Sequence, residues 1–195
     1  MQHNIIQHFN NIINLTKEEE SRILSLVKVR RYKKKTMLIE EGAVCRAISY
    51  VFKGCLRIYK IDSEGIENNV YFTLEDWWVV DLKSFIEQTG ARFYIETLED
   101  CELWQLTKND FDVLLDEILI LEKWFRVLLQ NALISSENRI HYKTSLKAED
   151  RYDKFLEKYP TLESRISQRH IASYLGISPE FLSSLKSKRH KQQKP

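Results

Sequence analysis

The sequence predicts an α+β protein in which an antiparallel β-roll is followed by a long helix and then by a helix–turn–helix. Three patterns predict this fold. Short segments that alternate apolar and polar residues follow one another between residues 27 and 106. Apolar residues then recur at helical spacing across residues 114–132, and a turn at Gly176 separates two short amphipathic segments within residues 166–186. With 43% hydrophobic residues in a chain of 195, there is enough apolar mass for a core, which excludes a disordered protein.

The β-roll is predicted from short strands that are separated by Gly or Asp turns. A capping box formed by Thr16 and Glu19 starts a helix that precedes these strands. The strand segments are residues 27–32, 37–39, 48–52, 55–60, 70–72, 93–95 and 103–106. Residues 75–92 interrupt the alternation and contain a short helix around residues 83–87.

A long helix is predicted over about residues 108–143. Six apolar residues in it are spaced alternately four and three apart, and they form a heptad seam. The seam consists of Leu114, Ile118, Leu121, Phe125, Leu128 and Ala132. Leu115, Leu119, Trp124, Leu129 and Leu133 form a second apolar side. Two stripes on one helix need two surfaces, which favours a helix that covers the roll and also meets a second copy of the chain. The alternative is one wide stripe that faces the core of a monomer.

The charge of the chain is unevenly distributed. Residues 139–195 hold 13 Lys and Arg against 6 Asp and Glu, a net charge of +7, whereas residues 1–138 hold 17 against 22, a net charge of −5. A basic segment favours a polyanionic partner such as nucleic acid, and the alternative is a solvated charged surface. The most apolar long stretch, residues 111–134, contains six charged residues, which excludes a membrane span. We see no signal peptide at the N-terminus and expect a cytoplasmic protein.

The cysteine and histidine pattern argues against a metal site or a haem site. Cys45, Cys55 and Cys101 are far apart and do not form a CxxC motif, so we expect buried structural thiols in a reducing compartment. An iron–sulfur cluster needs about four clustered cysteine ligands. No Ser-His-Asp order, Gly-rich phosphate loop or metal-spaced His/Glu set indicates an enzyme.

A helix–turn–helix is predicted from residues 166–186. Ile171, Ala172 and Leu175 form the inner face of the first helix, and Gly176 follows it, where a left-handed backbone is needed. Ser178 caps the second helix and Pro179 occupies its first position. Leu182 and Leu185 then face inward. The alternative is an ordinary helical hairpin, but the basic surroundings favour DNA binding.

Candidate DNA-contacting residues follow from this arrangement. The second helix presents Pro179, Glu180, Ser183, Ser184 and Ser187 toward a major groove. Arg169, Lys186, Lys188 and Arg189 are placed to contact phosphates. Ser167 and Ser178, which precede the two helices, complete the candidate set.

The order of these elements, together with the motif QRHIASYLGISPEFLS at residues 168–183, resembles the Crp/Fnr family of bacterial transcription regulators. The resemblance covers nearly the whole chain. It implies a cyclic-nucleotide-binding-like roll with a dimerisation helix over residues 1–143 and a helix–turn–helix DNA-binding domain over residues 144–195. It also implies double-stranded DNA, a second copy of the chain, RNA polymerase and an unidentified small-molecule effector as partners, and no membrane. Because the chain ends soon after the second helix, we expect the hairpin wing of the family to be short or absent.

The sequence departs from the family at the nucleotide site. Family members that bind cyclic AMP carry a cassette with a glutamate for the ribose hydroxyl and an arginine for the cyclic phosphate. Asp81 stands at the glutamate, and Ala91 falls at the arginine position with Arg92 one residue away. A shift by one residue on a strand turns a side chain to the other face. Cyclic AMP binding is therefore not expected, and no cofactor is predicted.

The candidate effector pocket consists of the residues around this altered cassette. They are Trp78, Asp81, Phe85, Ala91, Arg92 and Tyr94. The aromatic residues either line an apolar pocket or fill the space of the nucleotide.

The reading helix also departs from the family. Its Arg-Glu-x-x-x-Arg pattern corresponds here to Pro179, Glu180 and Ser184, so the glutamate is retained and both arginines are absent. The function predicted is that of a homodimeric DNA-binding regulator. The alternative is a small-molecule sensor or protein-interaction module that does not bind DNA.

Overall fold

The computed structural model describes residues 3–192 and confirms the α+β fold class. Eight strands form the roll: β1 Lys28–Tyr32, β2 Met37–Ile39, β3 Ala47–Lys53, β4 Leu56–Ile61, β5 Glu67–Thr73, β6 Trp78–Val79, β7 Tyr94–Thr97 and β8 Cys101–Thr107. The helices are α1 His3–Asn10, α2 Lys17–Leu26, α3 Leu82–Glu87, α4 Lys108–Glu117, α5 Ile120–Ser145, α6 Ala148–Lys158, α7 Gln168–Leu175 and α8 Pro179–Gln192. A short 3-10 helix, Leu162–Ser164, lies between α6 and α7.

The strands form two four-stranded antiparallel sheets, with the orders β1-β8-β3-β6 and β2-β7-β4-β5. Ile48 of β3 lies opposite Leu106 of β8 in the ladder, and both are buried. All four residues from Ile48 to Val51 are buried, so both faces of β3 are covered. The capping box of α2 is also confirmed: Thr16 accepts a hydrogen bond from the Glu19 backbone, and Glu19 accepts one from the Thr16 backbone at 2.7 Å.

Helix α1 was not predicted, and it lies in the core. Ile5 and Phe9 are fully buried, and the Phe9 ring packs on Trp124 of α5 with ring centroids 4.6 Å apart. Its sequence, HNIIQHFN, places Ile5, Ile6 and Phe9 at helical spacing, and this periodic signal could have identified the helix.

The chain folds into two compact units. The first contains residues 1–59 and 72–132, and the second contains residues 60–71 and 133–195. Strands β4 and β5 and helix α5 each have residues in both units. The tip of the β4–β5 hairpin therefore belongs to the same unit as the helix–turn–helix, a division that was not foreseen from the sequence.

The single helix predicted over about residues 108–143 is wrong, because α4 and α5 are separate helices. Ile118 ends α4 with φ −121° and ψ 80°, which are not helical angles. Leu114, Ile118 and Leu121 are all buried in one core cluster on both sides of the break. The heptad spacing continues across the break because the residues at the break also face inward.

The predicted dimer seam is therefore wrong in its first half. Leu114, Ile118 and Leu121 cover the roll of their own chain, Phe125 and Leu128 are half-buried against the same core, and Ala132 is exposed. A second apolar set on α5 is exposed, with Leu133 61% and Ile140 62% accessible.

Gly54, at the turn between β3 and β4, provides a test of the packing of the roll. Its φ is +100°, and an added Cβ would lie 2.6 Å from the Cys101 Sγ and 2.9 Å from the Asp100 carbonyl oxygen. We expect Gly54→Ala to lower the free energy of unfolding by about 2–4 kcal/mol, from left-handed strain and overpacking together. Gly42→Ala is the control, since Gly42 has φ +87° and no atom within 4 Å of the added Cβ. It should lose only about 1–2 kcal/mol in urea unfolding, and equal losses for the two variants would contradict this packing.

Candidate functional site

The turn between α7 and α8 has the geometry that the sequence predicted. Gly176 adopts the left-handed conformation, with φ 67° and ψ 41°. The backbone N–H of Ile177 donates to the Ala172 carbonyl at 3.1 Å, which satisfies the end of α7. The Arg151 Nε donates to the Leu175 carbonyl at 3.1 Å and so fastens the same end to α6. The turn is therefore held by one backbone hydrogen bond to α7 and by one side-chain hydrogen bond from α6.

The start of α8 is capped as predicted. The Ser178 hydroxyl oxygen accepts the backbone N–H of Phe181 at 3.1 Å, and Pro179 occupies the first helical position. The carboxylate of Glu180 accepts hydrogen bonds from its own backbone N–H and from the Ser178 hydroxyl, and these bonds lower the pKa of Glu180. Glu180 is consequently an exposed, ionised acceptor at the first turn of the helix.

One face of the helix pair is buried and the other is exposed. The residues predicted to face inward, Ile171, Ala172, Leu175, Leu182 and Leu185, are all buried. The candidate groove-facing residues Pro179, Glu180, Ser183, Ser184 and Ser187 are all exposed. The structure thus brings the candidate base-reading set together on one face of α8.

The candidate phosphate ligands fall into two groups. Arg169 and Lys188 are exposed, and Ser167 is exposed at the start of α7. The Lys186 Nζ, in contrast, forms an ion pair with the Glu163 carboxylate at 2.9 Å, and Arg189 pairs with Asp153. Acidic residues of α6 and the 3-10 helix therefore hold Lys186 and Arg189, and the phosphate contacts of these two residues stay a prediction.

Phe181 on α8 was missed among the candidate contacts. Its side chain is 41% exposed beside Glu180, on a helix whose buried positions are already filled by Leu182 and Leu185. An aromatic residue that does not fit the buried spacing of α8 was the signal that could have identified it.

The β4–β5 hairpin is hydrogen-bonded to α7 within the second unit. The backbone N–H of Asn69 donates to the Ser173 hydroxyl at 3.0 Å, and that hydroxyl donates to the Glu67 carbonyl at 2.8 Å. The Asn69 Nδ2 donates to the His170 carbonyl at 3.0 Å. Asn69 is only 3% exposed, so these bonds are shielded from water. The sequence carried no signal for this contact, since about a hundred residues separate the partners.

The carboxylate of Asp81, which corresponds to the family glutamate, accepts hydrogen bonds from nearby backbone groups. Its carboxylate caps α3 by accepting the Ser84 N–H at 3.1 Å, and it accepts the Arg92 N–H at 2.8 Å. The Ala91 backbone pairs with Gly42 and Ala43, and the Arg92 side chain is exposed. The groups that would hold a ribose and a cyclic phosphate therefore do not converge.

The aromatic residues of the candidate pocket fill the core or stack on neighbours. Phe85 is fully buried and packs edge-on against Phe111, with ring centroids 5.5 Å apart. The Trp78 indole N–H donates to the His8 Nε2 at 3.0 Å, and burial lowers the pKa of His8. Tyr94 stacks on Tyr59 with ring centroids 5.1 Å apart. Phe85 and Trp78 thus pack in one core cluster, and an effector pocket formed by the six residues stays a prediction.

A cavity of about 250 Å³ lies between the two sheets of the first unit. It is lined by Tyr32, Leu38, Ile39, Val44, Arg46, Ala47, Ser49, Val79, Ile95 and Gln105, none of which belongs to the predicted pocket. The Tyr32 hydroxyl donates to the Gln105 Oε1 at 2.9 Å, and the Gln105 Nε2 donates to the Ser49 hydroxyl oxygen at 2.9 Å. Three polar side chains of the wall are thus linked to one another, and the wall also contains Arg46 and six apolar residues.

The three cysteines are free and buried, as expected. Burial raises the pKa of the Cys101 thiol to about 11, so it stays protonated at neutral pH. The described residues contain no group of three or more His, Cys, Asp or Glu that could hold a metal ion. None of the helices described is both long and apolar enough to cross a membrane.

Comparison with known proteins agrees with the fold. Residues 29–117 match the family model of the cyclic nucleotide-binding domain. No curated protein sequence matches the chain. Among solved structures, FixK2 from Bradyrhizobium japonicum is 18% identical over 85% of both chains, with a TM-score of 0.75.

Two further structures show the same architecture. The c-di-GMP-responsive global regulator CLP from Xanthomonas campestris is 19% identical over 91% of this chain and 93% of its own, with a TM-score of 0.69. CooA from Carboxydothermus hydrogenoformans is 19% identical over 87% of this chain and 79% of its own, with a TM-score of 0.71. The resemblance to the Crp/Fnr family is confirmed at the level of the fold.

The altered cassette leads to a direct prediction. Isothermal titration of the full chain with cyclic AMP should show no binding at micromolar concentration, because Ala91 occupies the arginine position and both Asp81 oxygens are engaged. Micromolar binding that is lost in Arg92→Ala would instead show that Arg92 turns inward to serve as the phosphate ligand.

Proposed function

We propose that the protein is a homodimeric DNA-binding transcriptional regulator that places α8 in the major groove. The observation that carries the proposal is the two-sided character of this helix. Its Leu182 and Leu185 are buried against α7, while Glu180, Ser183 and Ser184 form an exposed face that begins at a capped helix start. A rigid turn and an exposed polar face are what a groove-reading helix needs. Such a regulator acts in the cytoplasm, with RNA polymerase as a further partner.

Base contacts and phosphate contacts are proposed to be divided between two sets of residues. Glu180 accepts a hydrogen bond from a cytosine amine, and Phe181 beside it meets a thymine methyl group. Arg169 and Lys188 contact phosphates. Lys186 and Arg189 can exchange their carboxylate partners for phosphates, because their ion pairs are partly exposed and such pairs contribute little stability.

The reading function is tested by selecting duplexes from a random library with the full chain and then measuring variants on the enriched sequence. Glu180→Ala should reduce discrimination at one base pair in each half-site by about 1–3 kcal/mol. Lys188→Ala should weaken binding to all sequences alike, and it should lower the slope of log affinity against log salt by about one, as expected for the loss of one phosphate contact.

Two half-sites about one helical turn apart are expected in the enriched sequence. If Glu180→Ala and Lys188→Ala cause the same sequence-independent loss, Glu180 does not read bases. If no sequence is enriched and the wild type does not bind DNA, the alternative of a sensor or interaction module without DNA binding replaces this proposal.

The homodimer is proposed to form through the exposed apolar residues of α5. Leu133 and Ile140 lie on one side of the helix at a spacing of seven, and Ile134 is exposed beside them. An apolar set of this kind on a helix favours a second helix as its cover, as in a parallel or antiparallel helix pair.

Light scattering tests the dimer. Leu133→Glu with Ile140→Glu should convert the dimer into a folded monomer, since both side chains are exposed in the single chain. Asn131→Glu with Asn138→Glu, at exposed polar positions of the same helix, is the matched control and should remain dimeric. A wild type that is itself monomeric at micromolar concentration would contradict the proposal.

The effector is proposed to occupy the cavity between the sheets. A space of about 250 Å³ is below the usual range for drug-sized ligands, roughly 300–1,000 Å³, which favours a small molecule. Ile95 of the cavity wall pairs with Ile58 of β4. The β4–β5 hairpin, which Asn69 and Ser173 hydrogen-bond to α7, then provides the path to the reading head.

A further inference from the structure

A dense run of positive charge lies in β1 and the turn that follows it. Six of the eight residues 28–35 are Lys or Arg, and we name them the basic strip: Lys28, Arg30, Arg31, Lys33, Lys34 and Lys35. All six are exposed. The strip is a basic segment within residues 1–138, a part of the chain whose net charge is −5. None of the residues proposed to form the reading head belongs to it.

The strip is held on a rigid support. Strand β1 pairs with β8 along its whole length, from Lys28 opposite Gln105 to Tyr32 opposite Cys101. In the turn, the Asp100 carboxylate accepts the Lys34 N–H at 2.9 Å, and the Thr97 carbonyl accepts the Lys35 N–H at 2.8 Å. The positions of the charges are therefore set before any partner binds.

Most of the charge in the strip is not neutralised within the protein. Arg31 pairs with Glu102 at 2.9 Å and Lys33 with Asp100 at 2.8 Å. Among the described residues, no ion pair is formed by Lys28, Arg30, Lys34 or Lys35. Four cations thus remain available to an external anion.

Protection of a sheet edge explains only part of the strip. Charged side chains on an edge strand prevent pairing with another chain, and β1 is at the edge of its sheet. Three of the six cations, Lys33 to Lys35, lie beyond the end of β1 in the turn, where there is no strand edge to protect.

The composition of the strip identifies its partner as duplex phosphate rather than protein. The cores of protein interfaces are rich in aromatic residues and poor in Lys, whereas the strip is Lys-rich and has only Val29 as an exposed apolar member. Binding of single strands needs exposed aromatic residues for stacking, and Tyr32 of the strip is half-buried with its hydroxyl bonded to Gln105.

The spacing of the strip also fits a duplex. Alternate residues on one face of a strand lie about 6.6–6.8 Å apart. Phosphates along one DNA strand advance by about 3.4 Å along the helix axis for each base pair, and because the backbone also winds around that axis, neighbouring phosphates are about twice that distance apart. The spacing of Lys28 and Arg30 therefore matches neighbouring phosphates of one strand.

We propose that the basic strip is a second DNA-contacting surface, which binds the phosphate backbone of duplex DNA without reading its sequence. This proposal rests on the proposed DNA-binding function and adds a contact surface outside the helix–turn–helix. It predicts that part of the salt dependence of DNA binding arises from β1 and its turn.

The test compares the salt dependence of binding to a mixed-sequence duplex of about 60 base pairs. The strip variant is Lys28→Ala with Arg30→Ala and Lys34→Ala. The variant leaves Lys35 unchanged, because the φ of 64° at Lys35 makes that position sensitive to substitution.

The charge-matched control is Lys17→Ala with Lys83→Ala and Lys123→Ala, three exposed cations elsewhere in the first unit. Equal thermal unfolding midpoints for the two variants and the wild type establish that the fold is intact. If the triple variant does not fold, the single Lys34→Glu substitution in the turn replaces it.

Each neutralised phosphate contact lowers the slope of log affinity against log salt by about 0.9. For the strip variant, we expect the slope of log affinity against log salt to decrease by about two to three and the affinity near physiological salt to fall roughly tenfold or more. For the control, we expect this slope to decrease by less than one. Equal slopes and affinities for the strip variant and the control would overturn the proposal. If the strip variant keeps its DNA affinity but loses stimulation of transcription by purified RNA polymerase, the strip serves a protein partner and the proposal is wrong. Failure of the wild type to bind the duplex would refute the proposed function itself, and with it the strip as a DNA contact.

Discussion

The hydrogen bonds between the β4–β5 hairpin and α7 are the constraint on which the functional account depends. Ser173 serves the hairpin twice, accepting the Asn69 N–H and donating to the Glu67 carbonyl, and both bonds involve hairpin backbone. Because β4 and β5 also belong to the sheet of the roll, their pairing and the support of α7 share the same backbone. A change in the roll that moves β5 must therefore either move α7 or break these bonds.

Internal hydrogen bonds also occupy the residues that correspond to the nucleotide site of the family. In this chain the carboxylate of Asp81 holds local backbone, at Ser84 and Arg92, instead of remaining available to a ligand. Phe85 and Trp78 pack into the core next to it. Polar groups that are satisfied within the protein gain little from a ligand. The cavity between the sheets is lined by other residues.

The sequence predicted the features that arise from local chemistry. Gly176, Ser178 and Pro179 determine a turn and a cap by conformational preference and short-range hydrogen bonding, and the structure confirms all three. Periodicity could not reveal the break at Ile118, since that residue is buried whether or not the helix continues. Nor could it show that Glu163 holds Lys186, because the partners of a charged side chain depend on tertiary structure. The sequence likewise shows which aromatic residues are near one another in the chain, but it does not show which of them fill the core.

Hydrogen exchange at the Asn69 amide tests the central claim most directly. In the wild type this amide should exchange slowly, because it donates to Ser173 at 3.0 Å within a buried contact. In Ser173→Ala its exchange should accelerate by about tenfold or more, as expected when local protection is lost. The Val51 amide, which donates to the Trp77 carbonyl in the other unit, serves as the internal reference and should not change. An Asn69 amide that exchanges in the wild type as fast as an exposed loop, or that is unaffected by Ser173→Ala, would contradict the account.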